Sequence, residues 1–134
     1  MKAIQTICRE IGEYGCYFLS IIRAAEKRTG QSVNPIAAYC DMQAKGYLGA
    51  HCFMEKPDAM LSELAGAPFS VRRESKFYRA KGGEIEVLRY EWKHGGHFVL
   101  GDGRGQVAYD PLGESNTVKY GTLESKRIFS PRKA

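Results

Sequence analysis

The chain has no apolar run approaching the roughly 18 residues of a membrane span, and Met1 to Glu10 contains no uninterrupted apolar core of the secretory type. The expectation is a protein that stays in the cytoplasm and has no membrane partner. There is no CxxC pair either: Cys8, Cys16, Cys40 and Cys52 are separated by eight, 24 and twelve residues, which lacks the paired ligands of a structural zinc site. In a reducing compartment the four should be free thiols. Repeats, low-complexity tracts and linkers are missing as well. One domain is therefore expected, and 134 residues suffice for a core without help from disulfides or metals.

What is present fits a folded protein: 43% hydrophobic residues, 26% charged and eight tyrosines. The formal charge of +5 gathers at Arg72, Arg73, Lys76, Arg79 and Lys81 and again at Lys126, Arg127, Arg132 and Lys133. Such clusters are most often solvated faces; with no nucleic-acid motif beside them, a phosphate-contacting surface is the lesser reading.

The first half has helical spacing. Ile4, Ile7, Cys8 and Ile11 make an amphipathic lead-in, and a helix is expected from Cys16 to about Arg28, ending at Gly30. Asn34 and Pro35 suit the cap and first position of another, with Ile36, Ala37, Tyr39, Cys40 and Ala44 as its stripe until Gly46. A third runs from Pro57 to Ala65 and closes at Gly66. After Pro68 the period drops to two, and strands are expected at 69–72, 76–79, 84–92, 97–100 and 107–110. Helices followed by antiparallel strands define an α+β domain, helices packed on one side of the sheet, spanning residues 1–125, with a loose basic tail at 126–134.

Chemistry concentrates at two places. Gly15 breaks the lead-in, so Cys16 falls in the first turn of the next helix, where unpaired N–H groups and the helix dipole favour a thiolate. A small buried packing residue is the competing reading of Cys16. The second place is a hairpin. Closing Asp102-Gly103-Arg104-Gly105 with Gly101 opposite Gln106 aligns Leu100 with Val107, Phe98 with Tyr109, and His97 with Asp110. Phe98, Leu100, Val107 and Tyr109 then form an apolar side, while His97 and Asp110 project together from the other. Each alone has a plain structural reading, His97 as a strand histidine and Asp110 as the first residue of an Asp-Pro turn. Together with Cys16 they supply a nucleophile, a base and a group to orient the base. His94 and His51 are weaker candidates for the base, and Cys8 and Cys40 read as packing.

These residues resemble those of papain-like cysteine peptidases, especially the branch that includes bacteriocin-leader-processing peptidases. The likeness rests on Gln5 upstream, Gly15-Cys16 opening a helix, His97-Phe98-Val99 on a strand and Asp110-Pro111 ending the next. It also resembles a small phage- and plasmid-associated family of unassigned function. The resemblance implies a papain-like fold, with Cys16 as nucleophile, His97 as base, Asp110 as orienting acid and Gln5 in the oxyanion hole. No cofactor or metal is implied. A peptide, protein or other amide would be the substrate. The alternatives are a catalytically silent domain of the same fold that binds a protein partner, and a basic adaptor for nucleic acid.

Overall fold

The computed structural model describes residues 2–133. Its organising break is Gly15. Helix α1 (Ile4–Tyr14) ends there, the Gly15 N–H donating to the Ile11 carbonyl at 2.9 Å, and α2 (Cys16–Thr29) starts at the next residue. A Cβ at position 15 would lie 2.4 Å from the Ile11 carbonyl oxygen, a backbone atom that cannot swing aside. Gly15→Ala is therefore expected to force the two helices apart at the residue that aims Cys16. A loss of about 1–3 kcal/mol should appear as a lower urea midpoint, with slower alkylation of Cys16.

Helix α2 runs to the left-handed Gly30, and its buried face carries Phe18, Ile21, Ile22, Ala24 and Ala25. Helix α3 (Pro35–Ala44) is capped by Asn34, whose side chain accepts from the Ile36 and Ala37 N–H groups at 2.9 and 3.1 Å, a contact worth about 1 kcal/mol. Its buried residues are Ala38, Tyr39 and Met42. Cys40, expected in the stripe, points outward, as does Cys8 on α1. On α1 the buried position beside Ile7 and Ile11 goes instead to Glu10, whose carboxylate accepts from the Tyr39 hydroxyl and from Lys2 Nζ at 3.1 Å. Helix α4 (Pro57–Ala65) ends at Gly66 as its sequence predicts, burying Met60 and Leu61.

The second half is one antiparallel sheet of β1 (Phe69–Ser75), β2 (Ile85–Trp92), β3 (Gly95–Gly101), β4 (Val107–Tyr109) and β5 (Thr122–Pro131), in the order β1-β5-β2-β3-β4. A short helix α5 (Asn116–Tyr120), capped by Ser115, precedes β5. The protein is α+β, its core made where α2 and α4 meet the sheet face carrying Phe69, Val87, Leu100 and Phe129. Among the described residues no helix is long and apolar enough to cross a membrane.

Three expectations for the second half fail. Residues 76–79 form no strand, because β1 loses its partner at the Ser75–Ser125 pair and the chain turns there, leaving Phe77 81% exposed. The tail expected to be loose from Lys126 instead forms the second half of β5, bonded to β1 on one side and β2 on the other. A buried ion pair explains how charge enters the sheet: Lys126 Nζ lies 2.9 Å from Glu86 Oε1. The hairpin register also differs. Leu100 pairs with Tyr109 and Gly101 with Val107, with a shift between them. The Asp102 carboxylate accepts from the N–H groups of Arg104 and Gln106, which draws Gln106 into the turn.

Candidate active site

Although the register shifts, His97 and Asp110 meet. Asp110 lies one residue past β4, at the start of a turn, where its backbone carbonyl accepts from Gly113 N–H. Freed from the ladder, its side chain reaches back so that Oδ1 sits 2.7 Å from His97 Nε2. The same oxygen accepts from Leu112 N–H at 2.9 Å, and Oδ2 accepts from the Ser115 hydroxyl at 2.7 Å. Both readings of this aspartate hold at once: it is the turn residue and the partner of the histidine. His97 itself is only 5% exposed, which excludes a loosely solvated strand histidine.

Among the described residues no strand pairs with the outer edge of β3 beyond Leu100, toward Gly95, and Cys16 at the start of α2 lies near Gly96, His97 and Phe98 of that stretch. Cys16, half-buried, borders a small cavity with His97, Gly96, Pro111 and Leu112. Burial would raise the thiol pKa, but His97 together with the Phe98 and Tyr17 N–H groups outweighs it and holds the pKa below the usual thiol range. The reciprocal effect acts on the imidazole: burial would lower its pKa, and Cys16 and Asp110 raise it above the ordinary value. Asp110 follows the same pattern. Burial opposes ionisation, and His97, Leu112 N–H and Ser115 hold its carboxyl low. With Nε2 engaged by an ionised Asp110, the proton sits on Nε2 and Nδ1 is the nitrogen left to exchange a proton with sulfur. The Cys16 thiol and the His97 ring are close enough for each to shift the pKa of the other, toward thiolate and imidazolium.

Gln5 is not brought to this site. It lies exposed in the first turn of α1, and about 15 Å along a rigid helix separates it from Gly15. Neither cavity bordering Cys16 includes it. Donors for an oxyanion are nearer at hand in the N–H groups of Cys16, Tyr17 and Phe18, which find no backbone acceptor because the first bond closing α2 is Leu19 N–H to the Gly15 carbonyl. The other histidines stand apart: His94 is exposed, and His51 packs its ring against Tyr14 at 5.1 Å. Cys52 lies near Cys16, but burial pushes its thiol up to about 11. Among the described residues no group of three or more His, Cys, Asp or Glu could hold a metal ion.

On its other side Cys16 opens to a larger cavity of about 690 Å³ walled by Tyr17, Phe98, Arg73, Arg89 and Arg127. Of these, Arg73 and Arg127 were read by sequence only as surface charge. The signal that could have found them is phase: Arg73 and Arg127 face each other across the ladder two residues from Val71 and Phe129, so they share the core-facing side of the sheet.

Fold and site together describe an α+β protein whose first half presents a cysteine to a buried histidine–aspartate pair of the second. Residues 2–131 match the family described as "Protein of unknown function, DUF261", and the chain belongs to it. The comparisons matched no curated protein and no solved structure.

Proposed function

We propose that the protein is a cysteine hydrolase, a papain-like peptidase or amidase that cleaves an amide bond through Cys16, His97 and Asp110. The observation that carries this reading is the buried His97, held at Nε2 by Asp110 while its other edge meets the thiol. A histidine kept only for packing needs no second ionisable partner, and a cysteine kept for packing is pushed toward the thiol, as Cys52 is. The order of the parts, a nucleophile opening a helix with base and acid supplied by a later hairpin, supports the papain-like assignment.

In the reaction the Cys16 thiolate attacks the amide carbon, and the carbonyl electron pair moves to oxygen, which the unpaired N–H groups at the start of α2 stabilise. The imidazolium of His97 gives its proton to the departing amine as the C–N bond breaks, leaving a thioester on Cys16. Water then loses a proton to His97 and attacks the thioester carbon, and as the C–S bond breaks the acid leaves and the thiolate is restored beside the imidazolium. Asp110 holds the ring and stabilises its charged form without taking the proton.

A second reading, the basic nucleic-acid adaptor, loses support from the structure. Lys126 is buried, Arg72 is bonded to Glu74 and Glu84, and Arg73 to Glu124. The cysteine reading is tested by site-resolved alkylation with iodoacetamide. Because the Cys16 pKa is lowered and the His97 pKa is raised, the thiolate extends to lower pH than at an ordinary thiol and the imidazolium to higher pH than at an ordinary histidine. Cys16 should therefore outpace Cys8, Cys40 and Cys52 at pH 6, and cleavage of a peptide mixture should vanish in Cys16→Ala. Equal reactivity of Cys16 and the exposed Cys8 at pH 6 would refute the proposal.

A further inference from the structure

Four arginines line the cavity beside Cys16, and three of them are paired with carboxylates, Arg72 with Glu74 and Glu84. Arg73 is bonded to Glu124 at 2.5 Å, and Arg89 to Glu91 at 2.7 Å and Glu124 at 3.6 Å. Arg127 is different. Its guanidinium donates only to neutral groups, Ser125 Oγ at 2.9 Å and the Lys126 carbonyl at 3.5 Å, and lies 5.5 Å from the centre of the Phe98 ring. Among the described residues no carboxylate is within 4 Å of it. It is half-buried on the core-facing side of β5, so water compensates it less than it would a surface arginine. Burial lowers its pKa and Arg73 and Arg89 add to the lowering, while Tyr17 and, from beyond contact distance, Glu124 act the other way.

A second group in the same wall lacks a partner. The Tyr17 ring stacks on Phe98 at 4.4 Å, and its hydroxyl is buried with no hydrogen bond. A buried donor without an acceptor is uncommon, and here it stands near a cation that no carboxylate contacts, one residue from Cys16. The neighbouring strand makes room for the Arg89 guanidinium, which lies over Gly96 where a Cβ would meet it at 2.3 Å.

We propose that Arg127, assisted by the Tyr17 hydroxyl, binds a carboxylate of the substrate, so that the hydrolase acts on peptides carrying a negative charge beside the scissile amide. This rests on the assignment of Cys16 as the nucleophile. A guanidinium suits the task because its forked N–H groups meet both carboxylate oxygens, and the Tyr17 O–H can donate to the same group. The carboxylate is either an Asp or Glu side chain or the terminal carboxylate of the peptide.

The test compares iodoacetate with iodoacetamide at Cys16 in the full chain, with Cys8 of the same molecules as reference. The iodoacetate-to-iodoacetamide rate ratio should be about tenfold or more higher at Cys16 than at Cys8, and it should fall several-fold in Arg127→Gln. Arg127→Lys should keep most of it, which separates charge from a damaged fold. An unchanged ratio in Arg127→Gln would overturn the inference while leaving a fast iodoacetamide reaction, and with it the nucleophile, intact. Slow reaction of Cys16 with both reagents would instead remove the hydrolase reading. Protection of Cys16 from iodoacetamide by a glutamate-containing peptide amide would assign the site to a side chain. Protection by a neutral peptide with a free C-terminus would assign it to the terminus, and no protection by either would overturn the inference.

Discussion

His97→Ala is expected to slow iodoacetamide alkylation of Cys16 at pH 6 by about one to two orders of magnitude. A thiol of ordinary pKa near 8.5 is only about 0.3% thiolate at that pH, and the thiolate is the reacting species. In the native site His97 is the foremost group lowering the Cys16 pKa against burial, ahead of the Phe98 and Tyr17 N–H groups. Without it, burial is opposed only by those N–H groups and the helix dipole, worth about 0.3–1 kcal/mol, less than one pKa unit. The sign sets the pH dependence: the loss is largest at low pH and shrinks toward pH 9, where an unassisted thiol ionises by itself. Asp110→Asn should have a smaller effect, because an asparagine oxygen can still accept from Nε2 and hold the ring while stabilising the imidazolium less. Matching pH profiles for wild type and His97→Ala would mean that the two residues do not act as a pair.

The parts of this site that could be read from the sequence are those set by local chemistry. Gly15, Gly30, Asn34-Pro35, Pro57 and Gly66 are punctuation whose effect does not depend on the rest of the chain, and the helices begin and end close to where they predict. Cys16 was legible because a helix start gives it a chemical reason to stand out. His97 and Asp110 were legible as a pair but not in geometry. The expected ladder would have set them opposite each other, whereas the turn shifts the register and Asp110 reaches the histidine from beyond the strand. Gln5 misled because its place rested on likeness alone, and the intervening helix is too rigid to fold it back. Arg127 escaped notice for the opposite reason to Cys16: a charge within a basic run reads as solvent-facing, and only the pairing of β5 with β1 and β2 puts it in a wall.

The strand that sequence reading missed leads to the largest expected effect on stability. Glu86 and Lys126 are 1% and 3% exposed, and their partners are mutually specified. Glu86 Oε1 accepts from Lys126 Nζ at 2.9 Å, and Oε2 accepts from the N–H groups of Gly103 and Gly105 at 2.9 and 2.8 Å. Lys126 also donates to the Tyr78 carbonyl at 2.8 Å, so one pair ties β2 and β5 to the loop after β1 and to the turn feeding β4. Glu86→Gln keeps the shape but leaves an ammonium buried without a counter-charge. Breaking such a pair from one side costs about 3–5 kcal/mol, a large share of the 5–15 kcal/mol by which domains are stable. The urea midpoint should fall accordingly. Glu86→Gln/Lys126→Met removes the stranded charge along with its partner and should recover much of the loss, giving a double-mutant coupling well above that of a surface ion pair. If Glu86→Gln changes stability by less than about 0.5 kcal/mol, the scale of an ordinary surface substitution, Lys126 is solvated and residues 126–131 are the loose basic tail that composition alone describes.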